Sequence, residues 1–189
     1  MPARQRIQSR PELVTNTLVE FNDTEVYLCE DIAKKRYDNN RANSIKQTSY
    51  KAGLGDPYRW DIMGCYGELA FLKAVNQYPY DFFSIKPRSV ARGTDNGDLE
   101  LDGLIIDVKT TRYTTGRLVC KTIKAGDIVD LFCLAVIEDK NRVSLRGFCP
   151  AKLLLKDENY NTANGKFPRV CYNMEQKNLM SYDEAVKKL

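Results

Sequence analysis

The stretch DLELDGLIIDVKTT, from Asp98 to Thr111, constrains this chain more than any other. An Asp-Gly pair between two alternating runs is a strong hairpin signal, because a two-residue type I′ turn needs positive φ at both central positions. With Asp102 and Gly103 as the turn, Leu101 pairs with Leu104, Glu100 with Ile105, Leu99 with Ile106 and Asp98 with Asp107. Opposed residues share a face, with Cβ atoms about 4.5–5.5 Å apart. Leu99, Leu101, Leu104, Ile106 and Val108 then form a core-facing side, while Asp98, Glu100, Asp107 and Lys109 occupy the other.

Two carboxylates held that close repel, and a cation between them relieves the repulsion. Hard oxygen donors select Mg²⁺ or Mn²⁺, which takes one or two protein carboxylates and completes its shell with water and substrate phosphate. Lys109 lies on the same face, where its ammonium can orient or deprotonate a water and neutralise charge developing on a phosphate.

The chain contains no histidine, which removes His-based zinc sites and Ser-His or Cys-His nucleophile systems. Chemistry must run on carboxylates, lysine, hydroxyls or a metal. The six cysteines include no C-x-x-C pair, and several sit in apolar runs such as LFCLAVI; they read as small buried hydrophobes in a reducing compartment. An iron–sulfur cluster on four cysteines does not match their scatter. No apolar run approaches the roughly 20 residues that span a bilayer, and the N-terminal stretch lacks the apolar segment of a secretory signal. The expected location is intracellular and cytoplasmic, in the host cell if the protein is viral.

The 189 residues fit a single domain. Asp23 to about Asn40 reads as a helix, capped by Asp23 or Thr24, with Val26, Cys29, Ile32 and Ala33 on one side. GLGDP at 53–57 punctuates, and Trp60 to Gln77 is a firmer helix with Ile62, Cys65, Leu69, Leu72 and Val75 as its apolar stripe. The period then becomes two. Strands are expected at Phe82 to Lys86, across the hairpin, and at Leu118 to Ile123, Leu131 to Glu138 and Val143 to Cys149. A short helix follows at Pro150 to Lys156, a loop at Asn159 to Pro168, an edge strand at Arg169 to Tyr172 and a terminal helix from Ser181 to Leu189. Residues 1–57 read as an N-terminal helical extension, 58–156 as the core and 157–189 as a C-terminal extension. The fold class is α/β, a mixed central sheet flanked by helices.

Glu68 borders the buried stripe of the second helix, so it needs a partner. Gly64 and Gly67 weaken that helix by about 1 kcal/mol each relative to Ala, a cost that makes sense if the helix must approach the sheet closely. The order Gly64, Gly67-Glu68 on a helix, then Asp98, then Asp107-Val108-Lys109 on consecutive strands resembles the PD-(D/E)XK nuclease superfamily, the restriction-endonuclease-like fold. The likeness spans Trp60 to Cys149 and departs from the family pattern in having Gly97 before Asp98 in place of proline.

The resemblance implies Mg²⁺- or Mn²⁺-dependent phosphodiester hydrolysis in DNA, by a stand-alone endonuclease of phage or resolvase type. It assigns Asp98 and Asp107 to the metal, the Val108 carbonyl to its shell, Glu68 as a further direct or water-mediated ligand, and Lys109 to the attacking water. Glu100 either joins the site or lines it, and Thr111 extends the face. The alternative is a catalytically silent nucleic-acid-binding module of the same fold. Net charge is +4, and Arg59, Arg88, Arg92, Arg112, Arg117, Lys121 and Lys124 are the expected phosphate contacts. Tyr58 and Trp60 are either stacking residues or, in the case of Trp60, a core residue at a helix start. The arginines at 4, 6 and 10 form a DNA-contacting arm or a frayed tail. Many relatives dimerise, so a homodimer is a further expectation; a membrane partner is not.

Overall fold

The computed structural model describes residues 12–42, 57–76, 99–120, 129–161 and 170–189. The elements in chain order are β1 (Thr17–Glu20), α1 (Asp23–Ala42), α2 (Pro57–Ala74), β2 (Leu99–Leu101), β3 (Leu104–Thr111), β4 (Leu118–Cys120), β5 (Leu131–Asp139), β6 (Arg142–Pro150), α3 (Ala151–Leu154), β7 (Tyr160–Asn161), β8 (Cys171–Met174) and α4 (Tyr182–Val186). A five-stranded sheet runs in the order β1-β6-β5-β3-β2, and a three-stranded sheet in the order β4-β8-β7. The large sheet is mixed: β3 and β5 are parallel and its other pairs antiparallel. The expected α/β class with a mixed sheet and flanking helices is what the chain forms.

β5 explains the layering. Its first six residues, LFCLAV, are all buried, the pattern of a strand covered on both faces. Leu131, Cys133 and Ala135 join Ile106, Val108, Val143, Leu145 and Phe148 under α1, α2 and α4. Phe132, Leu134 and Val136 point the other way, into a second cluster with Leu118 and Cys120 of β4, Cys149, and Ala151 and Leu154 of α3. Helices therefore cover one face of the large sheet, and the small sheet with α3 covers part of the other.

The N-terminal segment is woven into this body. β1 pairs with β6, Val19 opposite Val143, and was not expected from the sequence. Helix α1 starts from Asn22 rather than from Asp23 or Thr24: the Asn22 side chain accepts the Glu25 N–H at 2.9 Å while Glu25 accepts the Asn22 N–H at 2.8 Å, the reciprocal bonding of a capping box. Glu25 is buried and also receives Lys73 of α2 at 2.8 Å. α2 begins at Pro57, three residues before the expected start, with proline in the first turn where its missing N–H costs nothing.

The C-terminal segment is equally integrated. Tyr182 is buried, stands edge-on to Phe148 at 5.5 Å, and its N–H donates to the Leu13 carbonyl at 3.0 Å. Ser181 caps α4 through a capping box with Glu184, which holds the Glu184 carboxyl below its ordinary value. The expected edge strand near Arg169 is β8, displaced to Cys171–Met174 and central in the small sheet. The strand expected at Leu118 likewise belongs to the small sheet. A strand at Phe82 to Lys86 lies outside the described residues, as do the arginines at 4, 6 and 10.

Candidate active site on strand β3

The hairpin forms in the expected register, with Leu99 opposite Ile106, Glu100 opposite Ile105 and Leu101 opposite Leu104. Asp102 and Gly103 take φ of 53° and 78°, as a type I′ turn requires. The turn is braced from outside: the Tyr182 hydroxyl lies 3.2 Å from the Asp102 carboxylate and 3.3 Å from the Leu101 carbonyl. β3 is pinned at its start by Asp130, whose side chain accepts the Ile105 N–H at 2.8 Å and whose own N–H donates to the Ile105 carbonyl at 2.9 Å.

Alternation along β3 divides its residues. Ile106 and Val108 are buried against the helices. Asp107 and Lys109 stand on the opposite face, over the β5 positions Phe132 and Leu134 that pair with them. Their side chains form an ion pair, with the Asp107 side chain 15% and the Lys109 side chain 35% exposed. The Lys109 ammonium also lies 5.9 Å from the centre of the Phe132 ring, a favourable placement for a cation on an aromatic face. A carboxylate this far from water must be compensated, and Lys109 supplies that compensation locally. Glu100 is exposed on the hairpin.

Glu68 has a different setting. It is buried in α2 and both its oxygens are taken by the Arg36 guanidinium of α1, one at 2.7 Å. The two-pronged geometry suits a charge pair withdrawn from water. The Cys29 thiol is pushed up first by its own burial and then by its neighbours, Cys65, Glu68 and Glu25 among them. α2 packs on the face that carries Val108, because a Cβ on Gly67 would fall 2.0 Å from Thr110 Oγ1 and 3.2 Å from Val108 Cγ1. The sheet brings Asp107 and Lys109 together, then, and sets the Glu68–Arg36 pair on the face where α2 lies. Of the two glycines, Gly67 is the one the close approach requires; a Cβ on Gly64 would meet only Glu68 Oε1, at an ordinary 3.8 Å.

Arg36 is not among the residues the sequence singles out. The available signal was its position: seven residues after Cys29 and three after Ala33, it continues the apolar stripe of α1, where a charge requires a partner.

Asp98 lies outside the described residues, together with Arg88, Arg92, Lys121 and Lys124. Arg59 is exposed in the first turn of α2. Arg112 is exposed just past β3, 5.8 Å from the centre of the Tyr113 ring. Arg117, expected to contact phosphate, is committed to the small sheet through Asn173 at 2.8 Å and Glu175. Trp60 is 36% exposed rather than a core residue, and Tyr58 bonds the Glu30 carbonyl at 3.3 Å while standing edge-on to Tyr37.

The side-chain donor on the Asp107 face is a hard oxygen, the Asp107 carboxylate, and its chemistry fits Mg²⁺ or Mn²⁺, which accepts one or two carboxylates and keeps several waters. Among the described residues no group of three or more Asp, Glu or Cys side chains gathers to hold a metal. The cysteines are buried and unpaired with one another, and no described helix is long and apolar enough to cross a membrane. Comparison with known protein families, with curated proteins and with solved structures gave no match.

Proposed function

We propose that the protein is a metal-dependent nuclease of the PD-(D/E)XK type, with a restriction-endonuclease-like core, hydrolysing phosphodiester bonds in DNA. The observation that carries this reading is the Asp107–Lys109 pair: a largely buried carboxylate and an ammonium two residues on, side by side on one face of an interior strand that forms the second arm of the hairpin. A bound Mg²⁺ or Mn²⁺ would supply Lewis acidity and a nucleophilic water at neutral pH.

The chain's own residues account for the rest. Asp107, with Asp98 and the Val108 carbonyl, would hold such a cation. Lys109, kept in place by Asp107 and by the Phe132 ring, orients the attacking water and offsets the negative charge that grows on the phosphate. Arg59 and Arg112 attract the phosphate backbone without regard to sequence. Glu68 acts through Arg36 to fix α2 against α1, which departs from the direct or water-mediated ligand role the resemblance implies. Two copies acting together would cut both strands of a duplex.

The second reading, a nucleic-acid-binding module without catalysis, is favoured by one observation: Asp107 and Glu68 each already hold a basic side chain. The test is cleavage of linear, nicked, branched and single-stranded DNA, and of RNA, in Mg²⁺, Mn²⁺ or EDTA. Cleavage in either metal that disappears in EDTA and in Asp107→Ala supports the nuclease. Salt-sensitive binding with no nicking at any enzyme concentration supports the module.

A further inference from the structure

Beyond Thr111 the chain leaves β3 and makes a tight loop, TRYTTGR, before β4. This loop is held at several points. The Tyr113 N–H donates to Thr111 Oγ1 at 3.2 Å, the Gly116 N–H donates to the Tyr113 carbonyl at 2.7 Å, and the Gln176 side-chain amide donates to the carbonyls of Thr114 at 2.9 Å and Gly116 at 2.7 Å. Gly116 is required there, because a Cβ would fall 2.7 Å from Thr111 Cγ2 and 2.8 Å from the Tyr113 carbonyl. Arg117 ties the end of the loop to β8.

All this bonding holds in place a ring that the core does not use. Tyr113 is 64% exposed, and Arg112 lies over it at 5.8 Å. A large aromatic surface fixed in water, backed by a guanidinium, suits one kind of ligand especially well. The flat face of a nucleobase stacks on such a ring irrespective of sequence, and the arginine reaches the adjoining phosphate. The loop also continues the strand that carries the candidate site. Tyr113 follows Lys109 by only four residues, at most about 13 Å of chain, so the ring lies within a few nucleotides of the candidate site.

Resting on the nuclease reading, we propose that Tyr113 and Arg112 form a stacking subsite for an unpaired nucleotide, so that the preferred substrate presents a single-stranded stretch beside the scissile bond. In a continuous duplex both faces of each base are already stacked on neighbours, and the ring has nothing to receive.

The test measures binding in EDTA, where no cleavage interferes, using fluorescently labelled oligo-dT and a fully paired, blunt-ended DNA duplex. Tyr113→Ala should weaken oligo-dT binding about tenfold or more and leave duplex binding unchanged. Tyr113→Phe and Tyr113→Trp should bind oligo-dT like the wild type. The natural chain has one tryptophan, so the extra emission of Tyr113→Trp reports the loop, and oligo-dT should quench it. Tyr113→Ala binding oligo-dT within twofold of wild type, or losing equally on both substrates, overturns the subsite. Wild-type cleavage in Mg²⁺ or Mn²⁺ is scored separately: cleavage with unaltered Tyr113→Ala binding removes the subsite alone, whereas a wild type that neither binds nor cuts removes both proposals.

Discussion

The two faces of the central sheet treat charge in opposite ways. On the helix-covered face the ionic groups are locked into pairs between elements, Glu68 with Arg36 across α1 and α2, and Glu25 with Lys73 across the same helices. On the other face, Asp107 and Lys109 pair within one strand, two residues apart, with the ammonium still a third exposed. The first arrangement fixes where α2 sits. The second leaves a cation and an anion within reach of a ligand. β3 meets both faces because successive side chains point to opposite sides, Val108 and Thr110 toward α2 and Asp107 and Lys109 away from it.

Asp107→Asn should break this contrast most visibly if it is wrong. Cleavage should fall at least about a thousandfold, the loss expected when several kcal/mol of transition-state stabilisation disappear, while thermal unfolding stays near that of the wild type. Glu68→Gln and Arg36→Ala should do the reverse, because removing one partner of a buried pair strands the other at a cost of about 3–5 kcal/mol. Melting should drop by about 10 °C, and activity measured well below the melting temperature should persist. A Glu68→Gln variant that melts normally yet fails to cut would place the helix face in the chemistry and end the division of labour.

Gly67→Ala sharpens the comparison at lower cost. The new methyl group would run into Thr110, and overpacking of this kind costs about 1–3 kcal/mol, read as a lower denaturant midpoint. Gly64→Ala, in the same helix with room to spare, should raise stability by up to about 1 kcal/mol through helix propensity alone. If both substitutions act alike, the close approach of α2 is not what Gly67 provides.

Alkaline pH probes the comparison through buried thiols on both faces. Burial pushes the thiols of Cys29 and Cys133 up, that of Cys149 from its ordinary 9.0 to about 11, and the Tyr66 phenol from 10.0 to about 12. The unfolded chain loses these protons at lower pH than the native one, so stability is fully present below the unfolded values and declines as pH rises through them. Denaturant midpoints should begin to fall near pH 9 and keep falling to about 12. Cys133→Ala should shallow the first part of that decline, whereas an unchanged slope would mean that the helix-side thiols do not contribute to it.

The sequence made the hairpin legible because its turn chemistry is local: Asp102-Gly103 specifies the reversal, and the reversal specifies which residues share a face. Glu68 was legible only as an acid needing a partner, since Arg36 lies 32 positions away and pairing at that distance is decided by how α1 and α2 pack. β1 escaped notice because Thr17–Glu20 is a four-residue edge strand, alternating between exposed and partly buried positions, with only Val19 fully buried. Trp60 was open to a core reading at a helix start, yet it lies in the first turn of α2 at 36% exposure, while its neighbours Tyr58 and Ile62 pack against the core. The strands at β4 and β8 were legible, but their pairing into a separate small sheet was not, because they are brief and find each other across more than fifty residues.

Gly147 sits at the bulge in β6 with φ of 141°, where a Cβ would meet the Met180 carbonyl, Leu179 and Thr15. Segments more than 160 residues apart in sequence, around Thr15 and around Met180, thus meet at one residue that has no side chain. During synthesis, the stretch around Thr15 is clasped only after residues 179 and 180 have emerged. A ribosome paused ahead of residue 179 would hold a chain whose first strand has its β6 neighbour but not its final clamp.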